Sequence, residues 1–368
     1  MIDSSFEFFG LRLDGLGEFA DLERLAKQIN TRFILGNTAF TKLRHLDFHN
    51  PPLVVPPGEP TDDSIASSLD SAENHTSTQN LVLVGGGATL DFGKMFSVAL
   101  NSRSTLDKAF KSTAERVAIP SFHNPRILAV PTTCGSGSEV SSSAIVTVEG
   151  RKVAIVCPSF LPTATIYLPE LLSKSTRSHI PGMLDIVGHS LEPMLSRTKS
   201  TYLESLSTQA IRLVMKTSGD GAGVLRPTEI SNLQLAGRMA GKVQNSSSVG
   251  LPHALAHTYP TAPHGLLVGH YNVQLLRELR HMRHPYFSYL TSLLGGWEID
   301  LDSLIAWCED VISADCEYRN IIFQTLDLDQ DVRKSLLAHS FVRASMIDDY
   351  DKVFDVAKFT MPVEGAVA

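Results

Sequence analysis

Asp185 and His189 lie four residues apart, as do His253 and His257, and His264 follows in Pro263-His264-Gly265. Residues four apart on a helix share a face, so each pair can aim two side chains at one point. A carboxylate with several imidazoles and no thiolate is a donor set for Fe(II), Zn or a similar ion, better suited to these than to Ca or Mg. One such pair alone can equally be a local hydrogen bond or a polar face. Two pairs with a third His at a helix start favour the metal.

Two glycine-bearing turns add a second kind of chemistry. Leu81-Val-Leu-Val-Gly85-Gly86-Gly87-Ala88-Thr89-Leu90-Asp91-Phe92-Gly93-Lys94 reads as a buried strand, a turn and a helix. That order brings backbone N–H groups and the positive end of a helix to a phosphate, and glycines let the backbone come close. In Val130-Pro131-Thr132-Thr133-Cys134-Gly135-Ser136-Gly137-Ser138-Glu139-Val140 a strand empties into hydroxyls and glycines able to hold phosphate, ribose or a carboxamide. Each could be a tight or capped turn alone. Both leave the C-terminal ends of strands, where α/β sheets bind ligands, and together they imply a nucleotide.

The elements that must position these groups change character near residue 170. Before it, short apolar runs bounded by Gly, Pro and Asn predict buried strands at 32–35, 53–55, 81–84, 127–130, 144–148, 153–156 and 164–167. Helices are expected between them, at 16–28 and 91–104, and 61–80 is expected to be an exposed helix and loop. Alternating strands and helices predict an α/β domain with a mostly parallel sheet over residues 1–170. Beyond it, helical periodicity at 205–216, 230–244, 266–282, 301–314 and 332–345 predicts an all-α domain over 171–368, with 217–227 as a Gly-rich loop.

The chain has 368 residues with 43% hydrophobic composition, enough for a large core in two domains. A net charge of −7 without a long basic run argues against nucleic acid. Scattered Cys134, Cys157, Cys308 and Cys316 point to a reducing compartment rather than a zinc-thiolate knot. The opening residues carry early acids and no apolar run, and no apolar span approaches membrane length. A cytoplasmic enzyme without a membrane partner is expected.

At these motifs the chain resembles the iron-containing (group III) alcohol dehydrogenase family, whose fold is shared by dehydroquinate synthase and glycerol dehydrogenase. The family's Gly-Gly-Gly-Ser-x-x-Asp-x-x-Lys is matched by Gly85 to Lys94 with Ala88 for Ser, and its Pro-Thr-Thr-x-Gly-Thr-Gly-Ser-Glu-Val by Pro131 to Val140 with Ser136 for Thr. Its Asp-Ala-x-x-His-x-x-Glu helix appears as Asp185, His189 and Glu192, and its His-x-x-x-His before Pro-His-Gly as His253, His257 and His264. Phe6 to Gly10 resembles its opening strand, and Gly58-Glu-Pro-Thr61 its Gly-x-Pro-Thr.

The resemblance implies a dehydroquinate synthase-like fold with a dinucleotide on the α/β domain and a metal on the helical one. It implies metal ligands at Asp185, His189, His253 and His264, with His257 a non-ligand proton relay. It places pyrophosphate on Gly86, Gly87 and a helix starting near Thr89, with Gly85 also cofactor-binding and Asp91 and Lys94 near the cofactor's middle. Thr132, Thr133 and Ser136 would touch phosphate and nicotinamide, and Lys152 the adenine ribose. Hydride would pass between nicotinamide and a small alcohol, aldehyde or ketone, the metal polarising its oxygen. A homodimer or larger homo-oligomer is common in the family.

Some residues depart from the pattern. The 11-residue step from His253 to His264 is shorter than the family's, and Pro260 must stop the first helix near Thr258. His270, six residues after His264, points away from it on a helix and is expected in a pocket or at the surface, or as a substitute ligand. Where the family often has an Asp beside the adenosine ribose, Asn37 stands; without that repulsion NADP(H) becomes acceptable beside NAD(H), with a slight lean to NADP(H), and Lys42 or Arg44 could reach its 2′-phosphate. Three rival functions share the scaffold. A dehydroquinate synthase-like cyclase would need a basic cluster, but residues 251–269 contain no Lys or Arg. A metal-free maleylacetate-type reductase would typically lack Asp185. A silent scaffold would not need the Asp/His set.

Overall fold

The computed structural model describes residues 13–16, 18–70, 78–114, 116–123, 125–218, 223–259, 263–325, 330–348, 350–356 and 359–367, in two compact units, Met1–Ser173 and Lys174–Ala368. The expected strand at Phe6 to Gly10, the helix-stopping Pro260 and part of the loop expected at 61–80 lie outside the described residues.

The first unit runs β1 (Leu13–Leu16), α1 (Phe19–Ala26), β2 (Thr31–Gly36), α2 (Asn37–Leu43), β3 (Leu53–Val55), α3 (Asp62–Asp70), β4 (Asn80–Gly85), α4 (Gly87–Asn101), α5 (Arg103–Phe110), β5 (Arg116–Ala118), β6 (Arg126–Pro131), β7 (Ser143–Val148), β8 (Arg151–Val156) and β9 (Ala164–Tyr167). Six strands form a parallel sheet in the order β1-β9-β6-β4-β2-β3. Its central strand β4 is apolar at every position from Leu81 to Val84 because both faces are covered. Leu81 and Leu83 enter one core cluster with Phe92 and Phe96 of α4, while Val82 and Val84 enter the other with Leu22 and Ala26 of α1. On α3, Ile65 and Leu69 are buried in the first cluster, so that helix is exposed on one side only.

Three expectations need correction here. The strands at 144–148 and 153–156 are not in the parallel sheet; β7 and β8 pair antiparallel in a separate three-stranded sheet with β5. Their two-residue turn has positive φ at Glu149 (49°) and Gly150 (77°), the twist that joins neighbouring antiparallel strands. The first helix begins at Phe19 rather than Leu16, because Leu16 pairs with Tyr167 in the sheet. The helix expected over 91–104 begins earlier, at Gly87, and its second part is the separate α5.

The second unit runs α6 (Ile180–Met194), α7 (Thr201–Ser218), α8 (Pro227–Ser246), α9 (Leu251–His257), α10 (His264–His281), α11 (Pro285–Gly295), α12 (Leu301–Ala314), α13 (Cys316–Arg319), β10 (Ile321–Thr325), α14 (Gln330–Ala338), α15 (Ser340–Ala344), α16 (Tyr350–Val356) and β11 (Thr360–Val367). It is helical as expected, with one antiparallel ribbon of β10 and β11 added. The helix expected over 332–345 is two helices, broken at His339, whose extended backbone and ring nitrogen cap α15 through Phe341 N. Helix α6 is buried from Met183 to Met194, as befits the centre of a bundle packed by α7, α8 and α10. Four polar side chains, Asp185, His189, Ser190 and Glu192, are buried with it.

Candidate metal centre and nucleotide loops

Three helices of the second unit carry the metal-type residues. Asp185 and His189 share one face of α6, His253 and His257 lie on α9, and His264 is the first residue of α10. Glycines let α10 settle directly on α6. A Cβ on Gly188 would meet Val268 Cγ1 at 2.3 Å, and one on Gly269 would meet Leu184 Cδ2 at 2.8 Å. Thr258 caps the short α9, where the sequence expects it to end.

All the helices converge on one oxygen. Asp185 Oδ1 lies 3.4 Å from His253 Nε2, 3.7 Å from His264 Nε2 and 3.8 Å from His189 Nε2. Tetrahedral ligands about 2.1 Å from an ion stand about 3.4 Å apart, so the spacing suits one. Among the described residues, Asp185, His253 and His264 form a group whose ligand atoms all lie within 4.8 Å of one another. His189 stands beside it, its ring stacked on His253 at 4.7 Å between centroids.

Asp185 Oδ1 and His253 Nε2 are both buried and neither has a hydrogen-bond partner. With Nε2 unprotonated these are two facing acceptors, which repel in a dry site, so a proton or a cation has to stand between them. Burial alone would raise the Asp185 pKa, but His189, His253 and His264 hold it well below the carboxylate range. Burial works against charge on His253; Glu192 and Asp185 outweigh it and push its pKa up to about 9. A donor set of this kind fits a divalent ion.

His257 does not join the three-residue group. It lies half-buried beside it, 5.2 Å between ring centroids from His264 and 6.5 Å from His253. His270 is elsewhere: Tyr318 Oη stands 2.8 Å from its Nδ1 and Thr360 Oγ1 3.0 Å from its Nε2, joining α10 to α13 and β11.

In the first unit the two turns are neighbours because β4 and β6 are. Gly85 pairs with Pro131 in register, and Thr132 N donates to Gly85 O at 2.9 Å. Gly86 is the N-cap of α4 and no side chain caps that helix, which leaves first-turn N–H groups for a ligand. A Cβ on Gly87 would stand 2.7 Å from Ser136 Cβ, and one on Gly86 would stand 3.2 Å from Thr133 Oγ1. Gly36, the N-cap before exposed Asn37, faces Thr89 across the same edge. These contacts bring Asn37, Gly85, Gly86, Gly87, Thr132, Thr133 and Ser136 to the C-terminal ends of β2, β4 and β6.

Three lysines are engaged within the unit. Lys94, fully buried, donates to Ser138 O (2.7 Å), Ser138 Oγ (2.8 Å), Ser141 O (3.2 Å), Ser141 Oγ (3.2 Å) and Ser143 O (2.7 Å). Burial lowers its pKa to about 8 against the opposing pull of Asp91 and Glu139. Asp91 accepts from Ser138 Oγ (2.5 Å) and Ile145 N (2.9 Å), so both residues clamp the loop after β6. Lys152 makes an ion pair with Glu59 at 2.7 Å. Lys42 donates to Leu171 O at 2.7 Å, which corrects the expectation that it is placed to take a 2′-phosphate.

The motif on α6 includes Glu192 but assigns it no role, and no motif includes Asn272. Glu192 stands 2.7 Å from His253 Nδ1 and accepts from Asn272 Nδ2 at 2.8 Å. The signal was present: Glu192 lies three residues after His189, on the same helix face.

Residues 29–169 match the family described as iron-containing alcohol dehydrogenase. A probable alcohol dehydrogenase, EutG, of Escherichia coli K12 is 28% identical over 220 residues, 57% of this chain and 54% of that protein; the chain thus spans about half the length of that curated relative. The structure of an iron-containing alcohol dehydrogenase from Thermococcus thioreducens superposes with a TM-score of 0.69 at 19% identity, covering 94% of this chain and 99% of that one. A sulfoacetaldehyde reductase from Bifidobacterium kashiwanohense, solved with NAD+, has a TM-score of 0.69 at 18% identity, covering 94% of this chain and 95% of that one. Both structures share this fold.

Proposed function

Residues 29–169 belong to the iron-containing alcohol dehydrogenase family, and on that premise we propose that the protein is a metal-dependent oxidoreductase moving a hydride between a nicotinamide dinucleotide and a small alcohol, aldehyde or ketone. The observation that carries this reading is Asp185 Oδ1 facing His253 Nε2 at 3.4 Å, both buried without hydrogen-bond partners. Asp185, His189, His253 and His264 would hold Fe(II) or Zn. The bound ion supplies the charge that polarises an alcohol or carbonyl oxygen.

The chain's own residues do the rest. Backbone N–H groups at Gly86 and Gly87 receive the pyrophosphate, with Gly85 keeping the turn tight and the hydroxyls of Thr132, Thr133 and Ser136 alongside. Asp91 and Lys94 hold the hydroxyl-bearing loop in place, and Lys152 with Glu59 borders the adenosine side. His257, half-buried beside the ligands, passes a proton to or from solvent. Asn37 supports acceptance of NADP(H) as well as NAD(H), although Lys42 is engaged elsewhere.

Relatives named as an alcohol dehydrogenase and an NAD+-bound reductase support the redox reading. Scattered cysteines and net charge −7 support a cytoplasmic setting without nucleic acid. No helix among the described residues is long and apolar enough to cross a membrane. A homodimer or larger homo-oligomer is the assembly we propose. Metal analysis combined with nicotinamide absorbance against a panel of aldehydes and alcohols tests the function. Protein that binds neither a divalent ion nor a nicotinamide cofactor overturns it.

A further inference from the structure

We infer that Glu192 is a positioning residue of the metal centre: its carboxylate sets His253 as the Nδ1–H tautomer, so that Nε2 turns a bare lone pair towards Asp185. The inference rests on the metal reading above and concerns how this chain prepares its ligand. Glu192 is 5% exposed, and its acceptors are fully used. Oε2 accepts from Gly250 N at 2.6 Å and, more weakly, from His253 N at 3.4 Å. Oε1 accepts from Asn272 Nδ2 at 2.8 Å and stands 2.7 Å from His253 Nδ1.

The proton positions follow from counting donors. Asn272 Nδ2 also reaches Val268 O at 2.9 Å. The amide atom facing two acceptors has to be the NH2, which fixes the orientation of Asn272. Glu192 Oε1 is therefore an acceptor, and the ring nitrogen opposite it has to donate. A neutral imidazole carries one ring proton. With that proton on Nδ1, Nε2 is bare, 3.4 Å from Asp185 Oδ1 and without a hydrogen-bond partner.

Glu192 also ties together the helices that bring the ligands. It belongs to α6 with Asp185, bonds the N-cap of α9 at Gly250, and reaches α10 through Asn272. Gly188 keeps room for this arrangement, since a Cβ there would stand 3.1 Å from Asn272 Nδ2 and 3.2 Å from Glu192 Oε1. Partners of this kind, one bond beyond the ligand, set its tautomer and basicity, and their loss typically weakens metal binding about 10–100-fold.

The test compares the full-length wild type with Glu192→Gln. Zn affinity is measured by chelator competition, and the visible spectrum is recorded for the Co(II)-loaded proteins. The amide keeps the size of the carboxylate but sets an NH2 against one of the present donors. A Zn dissociation constant raised about 10–100-fold with a shifted Co(II) spectrum is expected. An unchanged affinity and spectrum, even with lowered thermal stability, would leave Glu192 merely structural and overturn the inference. Wild-type protein that takes up no divalent ion overturns the metal reading and this inference with it. Should Glu192→Gln not fold, the wild type alone decides: nitrogen-15 histidine spectra of the Zn-loaded protein should show His253 protonated at Nδ1 and ligated through Nε2. The reverse assignment refutes the inference.

Discussion

Gly265 lies so close to Pro181 that a Cβ added to it would stand 2.0 Å from the Pro181 carbonyl oxygen. The start of α10 thus rests on the first turn of α6, and His264 is held over Asp185 by a contact that tolerates no side chain. Gly265→Ala should force the helices apart, at about 1–3 kcal/mol of stability as for other overpacked sites. Metal affinity should fall with it, because His264 is the adjacent residue. Thermal unfolding and metal titration check both, and full stability with full affinity would mean that the contact does not place His264.

Replacing His264 with Ala should remove most of the bound metal and activity, since its Nε2 is 3.7 Å from Asp185 Oδ1. His270→Ala should keep the metal, because His270 faces Tyr318 and Thr360 instead. Elemental analysis of the two variants decides the ligand set. The opposite pattern would make His270 the ligand.

Both units carry features that were legible in the residues. The parallel strands announced themselves as apolar runs because each is covered on both faces, and the Asp/His pairs because four residues make one helical turn. The β7–β8 hairpin was hidden for the same reason: a buried run such as Ala144 to Val148 does not say which sheet it joins. Its signal was the Glu149-Gly150 turn. Periodicity makes 332–345 one helix because the capping role of His339 depends on a backbone angle that periodicity cannot express. Lys94 and Lys42 carry a charge that reads as ligand-binding in sequence, whereas the fold places carbonyl oxygens around each of them. Asn272, on a different helix from Glu192, had no local spacing to reveal their contact.

Burial lowers the His270 pKa from 6.5 to about 4. The unfolded chain therefore takes up this proton first as the pH falls. The contribution of His270 is fully present above about 6.5 and is lost as the pH drops towards about 4, on the order of 3 kcal/mol over the window. Urea unfolding across that range should show stability falling with acidification, and His270→Gln should flatten this part of the profile. An equal slope in both proteins would assign the acid sensitivity to other groups.

Gly86 has φ −76°, so any residue can adopt its backbone, and its Cβ position lies 3.2 Å from Thr133 Oγ1. Gly86→Val should therefore fold while setting a branched side chain where pyrophosphate has to approach. The dissociation constant for nicotinamide dinucleotide should rise at least tenfold with metal content unchanged. Unaltered nucleotide affinity would remove the phosphate from this turn.

Asn37 opens α2 at the C-terminal end of β2, exposed and next to Gly36, which itself faces Thr89 behind the glycine turn. A dinucleotide seated on that turn would bring its adenosine ribose towards this edge, where an acid would accept from the 2′-hydroxyl and repel a 2′-phosphate. Because Lys42 already donates to Leu171 O, the proposed tolerance for NADP(H) would rest on the missing negative charge rather than on a lysine grip. Asn37→Asp should then penalise NADP(H) relative to NAD(H) by about 1–3 kcal/mol, the scale of juxtaposed like charges or a lost charged hydrogen bond. Lys42→Ala should leave the ratio of kcat/KM values for the two cofactors where it was. A ratio that moves with Lys42 and not with Asn37 would place the ribose beside the lysine and away from the head of α2.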